Sequence, residues 1–198
     1  MKKTYRIRKA RMEDVRDIHS LLNYFAERRE LLPRSLSEIY ESLQQFSVAV
    51  DGEKIVGTCA LYVTWAGLAE VKALAVAPHY QGKGLGKRLL KTVIQEAKRI
   101  GVETLFTLTI REGLFQKYGF KRTRKSELPH KVWTECVRCP YFPESCIETS
   151  LTLQLKKHTD RARQRRLTDR FMSTSTPMIP SEPVAPPTSP PIRSSRKP

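Results

Sequence analysis

Long apolar runs are missing from this chain of 198 residues, and no apolar segment follows its basic start, MKKTYRIRKA. The first absence leaves no stretch of the length a membrane span requires. The second leaves no secretory leader pattern, so a soluble protein of the cytoplasm is expected. Cysteine is scarce, at four residues, and the Cys136-x-x-Cys139 pair in a reducing compartment points to free thiols or a metal more than to a disulfide framework. Acidic residues are the other shortage: twenty Asp and Glu face thirty-six Lys and Arg, a formal charge of +16. Such an excess suits a polyanionic cofactor and acidic substrates, and it also suits loose nucleic-acid binding, so charge alone does not choose a partner.

The length fits one domain of ordinary size and is short for two. Residues 156–198 hold ten basic and three acidic residues, +7 of the total. The expected division is therefore a domain over 4–155, a basic extension over 156–172 and a tail over 173–198. The extension reads as a solvated helix or as an arm that docks nucleic acid or a partner. Eight of the thirteen prolines lie in the tail among Ser and Thr with little to bury, so the tail is expected to be disordered.

What is present is organised around residues 69–101: AEVKALAVAP, HYQGKGLG and KRLLKTVIQEAKRIG. The first reads as a central strand on which Val71, Ala73 and Ala75 share one face and Lys72, Leu74 and Val76 the other. Leu85, Leu89, Leu90, Val93, Ile94 and Ala97 recur at helical spacing, and Gly101 sits where a left-handed C-cap belongs. The helix thus begins in the glycine loop. Its unpaired amides make an anion site that Gly82, Gly84 and Gly86 leave open to a ligand. The spacing is neither that of a P-loop nor that of the Rossmann fingerprint; the pattern is Gln81-x-x-Gly84-x-Gly86.

Upstream, Tyr5–Arg8 alternates as a strand and Val15, Ile18, Leu21, Leu22 and Phe25 mark a helix from about Glu13 to Glu30. A second helix should start at Ser35, which forms a capping box with Glu38. Phe46–Val50 and Lys54–Val63 flank Asp51-Gly52 as a hairpin, giving three adjacent antiparallel strands with 69–76. Downstream, Thr104–Thr109 is a strand, Gly113–Tyr118 a short helix, Phe120 the start of another strand, and Thr149–Leu155 a strand that can close the sheet.

The run LAVAPHYQGKGLGKRLL resembles the acetyl-CoA signature of the GNAT N-acetyltransferase superfamily. The resemblance covers residues 4–155. It implies an α/β fold with a mixed, mostly antiparallel sheet splayed at the acetyl-CoA strand and helices on both faces. It also implies acetyl-CoA as co-substrate, with pantetheine on Leu74, Ala75 and Val76 and the pyrophosphate on Gln81, Gly82, Lys83, Gly84, Leu85, Gly86 and Lys87. Glu70 stands near where family members carry a base, and the backbone N–H of Val76 is placed to polarise the thioester carbonyl. The family's tyrosine acid is matched by Phe115; Tyr118 is too far around the helix to replace it. No general acid is assigned.

LLPRSLSEIYE, EVKALAV and LPHKVWTECVRCPYFPESC together resemble the short, stand-alone N-acetylglutamate synthases of arginine biosynthesis, which implies L-glutamate as acceptor. Glutamate brings two carboxylates, and Arg34, Lys72, Arg111 and Lys131 offer cations, of which Arg34 can form a two-bond fork. Another small amine or a protein α-amine remains open as acceptor, as does a non-catalytic regulator binding acetyl-CoA or nucleic acid. His130, Cys136, Cys139 and Cys146 suit a structural zinc site, with free thiols as the alternative. Nothing in the sequence chooses between monomer and homodimer.

Overall fold

The computed structural model describes residues 5–128, 136, 137, 139, 141 and 145–155; the expectations for residues 156–198 lie outside them. Seven strands, Arg6–Lys9 (β1), Phe46–Asp51 (β2), Lys54–Trp65 (β3), Leu68–Val76 (β4), Thr104–Thr109 (β5), Lys121–Arg122 (β6) and Thr149–Gln154 (β7), form one sheet in the order β1-β2-β3-β4-β5-β7-β6. Among the described residues only β4 and β5 pair in parallel, so the sheet is mixed and mostly antiparallel, as expected. Asp51-Gly52 turns β2 into β3, with Gly52 at φ 63. The last strand does not end the sheet. Apolar Leu151 draws β7 inside, and the margin falls to β6, whose two residues are exposed and basic, a composition that protects an edge.

Helices cover both faces. On one, Val15–Ala26 (α1) buries Val15, Ile18, Leu22 and Phe25, and Leu36–Glu41 (α2) buries Ile39, against Phe46, Val48 and Val50. Ser35 and Glu38 form the expected capping box. α1 stops short of Glu30 because Arg29 turns left-handed, at φ 58, and the Glu30 N–H returns to the Phe25 carbonyl at 3.0 Å. On the other face Leu85–Arg99 (α3) buries all six of its periodic apolar side chains against Val56, Cys59, Leu61, Ala69 and Val71, the Leu, Val and Ile among them each gaining about 1.5–3 kcal/mol on burial. Glu112–Gln116 (α4) adds Phe115 to this core. Gly57 lets α3 lie close, since a Cβ there would meet Leu89 Cδ1 at 3.0 Å.

β4 departs from the simple alternation read in the sequence. Its register against β3 slips between the Thr58–Ala75 and Ala60–Lys72 pairs, and Ala73 takes φ 51. The extra residue of this bulge reverses the faces: Val71 packs with α3, whereas Ala73 and Ala75 pack with α1, and Leu74 and Val76 join the α3 side. Beside the bulge, β4 also loses its other neighbour. The parallel ladder to β5 covers Leu68–Thr104, Ala69–Leu105 and Glu70–Phe106 and then ends. Thr107 Oγ1 donates to the Val71 carbonyl at 2.9 Å at the point of divergence, and from there the strands open into a cleft.

Candidate active site

The cleft is lined by Val71–Val76 of β4, by Thr107, Leu108 and Thr109 of β5, and by Gln81, Gly86, Leu114 and Phe115. The Ala77 N–H donates to the Val56 carbonyl of β3 at 2.9 Å. Antiparallel alternation therefore turns the N–H groups of Val76 and Leu74 away from β3 and into the opening, while that of Ala75 belongs to the sheet. Gln81 Nε2 donates to the Val76 carbonyl at 2.9 Å, tying the loop to this edge. The open edge is thus a row of backbone groups with the pairing capacity of a strand, matched to the amide-bearing arm expected there.

The three loop glycines have different jobs. Gly82 and Gly84 take φ 74 and 78, the left-handed region, with nothing within 4 Å of an added Cβ. Gly86 has no such conformation; its added Cβ would sit 3.6 Å from Val76 Cγ2 and 3.9 Å from Leu114 Cδ2, in the wall of the cleft. The first helical bond is Arg88 N–H to the Gly84 carbonyl, at 3.1 Å, so the amides of Leu85, Gly86 and Lys87 precede the intrahelical ladder. No acidic side chain stands in this first turn. The positive end of α3 is therefore not offset by a carboxylate in its own first turn. Lys83 Nζ is turned back to the His79 carbonyl at 2.7 Å.

A second cavity adjoins the first and shares Leu31, Val71, Lys72, Ala73, Leu108 and Glu148 with it. It adds Leu22, Leu32, Arg34, Glu70, Cys136, Cys139 and Cys146. Glu70 is buried beneath the bulge, and Lys72 Nζ lies 3.0 Å from its Oε2. Tyr62, the cross-strand partner of Glu70, is approached by two cations. The Lys72 ammonium is 5.0 Å and the Arg34 guanidinium 5.9 Å from its ring centre.

Of the cations read as substrate ligands, Arg34 and Lys72 come together here. Arg111 borders the first opening instead, where its exposed Nη2 donates to Glu30 Oε2 at 2.6 Å. Lys131 and His130 lie outside the described residues. The three thiols of the expected zinc set share one wall, and Lys125 Nζ lies 2.9 Å from Cys146 Sγ. Burial, and after it the charge of Glu148, push the Cys136 thiol up from its ordinary range. Among the described residues no group of three His, Cys, Asp or Glu is placed to hold a metal ion.

Phe115 is core, edge to face with Phe120 at 5.3 Å, and the Tyr118 hydroxyl donates to the Lys87 carbonyl at 2.9 Å. Neither offers a proton to the cleft. Sequence reasoning missed Glu148. It lines both cavities, and burial pushes its carboxyl up against the opposing pull of Lys125 and Lys72. The signal available was its place just before β7, beside β5 and so beside the opening.

Three kinds of comparison agree with this architecture. Residues 42–122 match the model of the acetyltransferase (GNAT) domain. An uncharacterized N-acetyltransferase of Chlorobaculum tepidum is 32% identical over 134 residues, 68% of this chain and 86% of that protein. An amino-acid acetyltransferase of Mycobacterium tuberculosis is 32% identical over 135 residues, 67% of this chain and 77% of that protein. The crystal structure of the N-acetylglutamate synthase of Neisseria gonorrhoeae complexed with coenzyme A and N-acetyl-glutamate superimposes with a TM-score of 0.70 at 29% identity. It covers 78% of this chain, which spans only 36% of that longer one.

Proposed function

We propose, on the premise that this chain belongs to the GNAT acetyltransferase family and is an acetyl-CoA-dependent N-acetyltransferase, that its acceptor is the α-amine of L-glutamate. The observation that carries the reading is the convergence of Arg34 and Lys72 on a cavity continuous with the cleft. An acceptor with two carboxylates needs cations where it leaves water, because an uncompensated buried charge is costly. The relatives named amino-acid acetyltransferase and N-acetylglutamate synthase support it.

Acetyl-CoA supplies the activated thioester; the residues of this chain bind it, orient it and manage the proton. The amides at the start of α3, with Gln81, Gly82, Lys83, Gly84, Leu85, Gly86 and Lys87 around them, hold the pyrophosphate. The exposed edge at Leu74, Ala75 and Val76 would pair with the pantetheine arm, and the Val76 N–H would be the donor available to polarise the thioester carbonyl. Glu70 takes the proton of the acceptor ammonium, directly or through water, at the expense of part of its contact with Lys72. Arg34 grips a carboxylate of the acceptor through its fork, and Lys72 offers a point charge to the other.

Arg34→Ala tests the acceptor. Loss of a fork to a charged group costs about 2–3 kcal/mol, so kcat/KM for glutamate should fall roughly 30- to 150-fold with the acetyl-CoA KM little changed. Arg34→Lys should recover part of the loss. Equal values in all three proteins would remove Arg34 as a ligand, and a parent that does not acetylate glutamate would remove the acceptor assignment.

A further inference from the structure

Arg34 lies in the segment between α1 and α2, away from any strand, yet its backbone is fixed by a single side chain on α1. Asn23 Oδ1 accepts from the Arg34 N–H at 3.1 Å and Asn23 Nδ2 donates to the Arg34 carbonyl at 3.1 Å. One amide thereby satisfies both polar groups of one residue, as a neighbouring strand would. The remaining amide hydrogen is held as well: Asn23 Nδ2 is 2.9 Å from His19 Nε2, one helical turn earlier. An imidazole protonated on Nδ1 accepts there, which sets which way the Asn23 amide faces.

We propose that Asn23 is a positioning residue for acceptor selection, acting through Arg34. The proposal rests on the reading of Arg34 as the acceptor's carboxylate ligand. The guanidinium has a competing partner, because Glu38 Oε1 lies 3.8 Å from Arg34 Nη1. Glu38 is itself anchored, with Oε2 accepting from the Ser35 N–H at 2.7 Å and from Ser35 Oγ at 2.9 Å. The Ser35 N–H, and after it the Ser35 hydroxyl and Arg34, hold its carboxyl below the usual range. With the backbone clamped, the guanidinium is held between this charged carboxylate and the cavity, over the Tyr62 ring. Without the clamp the segment is free to carry it off the cavity wall. Replacing Asn23 therefore costs the acceptor its ligand while leaving the cleft and the base untouched.

A double-mutant cycle tests this. Asn23→Ala should raise the glutamate KM about tenfold with kcat and the acetyl-CoA KM within about twofold, and the Arg34 amide should exchange with deuterium at least tenfold faster than in the parent. Asn23→Asp, which can accept from the Arg34 N–H but cannot donate to its carbonyl, should fall between. The deciding readout is Asn23→Ala combined with Arg34→Ala, which should be no worse for glutamate than Arg34→Ala alone, because residues acting through one contact are not additive. Additive losses, or an Arg34 amide whose exchange is unchanged in Asn23→Ala, overturn the proposal. Faster exchange of that amide in Asn23→Ala, in a parent that does not use glutamate, refutes the acceptor assignment and supports the clamp.

Discussion

Three single substitutions to alanine, at Gly52, Gly84 and Gly86, should separate folding from cofactor binding with opposite signs. Gly52 and Gly84 share a left-handed backbone, φ 63 and 78, and open space around an added Cβ. Alanine costs about 1–2 kcal/mol at either through the backbone alone, or roughly 2–8 °C in Tm for a domain of this size. Gly52 is in the β2–β3 hairpin, outside the cleft lining, so its replacement should lower Tm and leave acetyl-CoA binding alone. Gly84 begins α3, and its replacement should lower Tm and also weaken acetyl-CoA, because the Cβ enters the space in front of the free amides. Gly86 is helical and carries no positive φ, so alanine there should hold or slightly raise stability, by about 0.5 kcal/mol, and Tm with it. Its methyl narrows the cleft between Val76 and Leu114. Displacing one charged contact costs about 1.5–3 kcal/mol, or roughly 10- to 150-fold in acetyl-CoA affinity. Calorimetric titration with acetyl-CoA beside thermal melts reads both quantities without turnover. If Gly86→Ala binds acetyl-CoA as the parent does, the start of α3 is not the anion site and the assignment of the loop fails.

Other expectations follow from single contacts. Asp14 is buried; burial works to raise its carboxyl, but the hydrogen bonds from Arg8 and the Arg11 N–H outweigh it and hold it low. A carboxylate held low stabilises the fold above its unfolded value and loses that contribution as pH falls through its folded value. Asp14→Asn should thus cost about 2–3 kcal/mol at neutral pH, and the difference should close in acid melts below about pH 4; equal Tm values at pH 7 would refute this. Glu148 has the opposite sign, since burial raises its carboxyl. Glu148→Gln should raise Tm at neutral pH, with the gain vanishing once both states are protonated, and a Tm lowered at pH 7 would contradict it. Tyr118→Phe should keep kcat within about threefold, because the hydroxyl is committed to the Lys87 carbonyl; a fall of a hundredfold or more, the scale of a lost general acid, would make Tyr118 the proton donor.

The local signals were legible because their partners are near in sequence. Ser35 with Glu38, Asp51-Gly52, and the periodic face of α3 with Gly101 behind it each settle a few residues of backbone by themselves. The bulge at Ala73 was not legible: alternation in β4 looks unbroken until the strand is set against β3, and only that register reveals the extra residue. The same holds for the turn that follows α1, where Arg29 goes left-handed and neither glycine nor proline marks it. Glu148 and Asn23 carry no motif, and each acquires its role from a contact with an element laid down elsewhere in the chain. The site was readable as a cofactor loop and a set of cations. Which cations meet was decided by tertiary contacts, the Asn23 bonds to the Arg34 backbone and the Tyr62 ring that both Arg34 and Lys72 approach.

The splay of β4 from β5 has a mechanical consequence. Among the described residues the backbone seam between β4 and β5 is short: three residue pairs, the Glu103 and Thr104 N–H groups on the Gly67 carbonyl, and one threonine hydroxyl join β1–β4 to β5–β7. A ligand arm laid along β4, as proposed, would act as a further stitch past Thr107, where the described strands no longer pair. Saturating cofactor should therefore tighten the seam itself, slowing amide exchange at Phe106 and Thr107 as well as in the loop. The melting curve should move up with the logarithm of cofactor concentration, as for a seam that closes only when threaded.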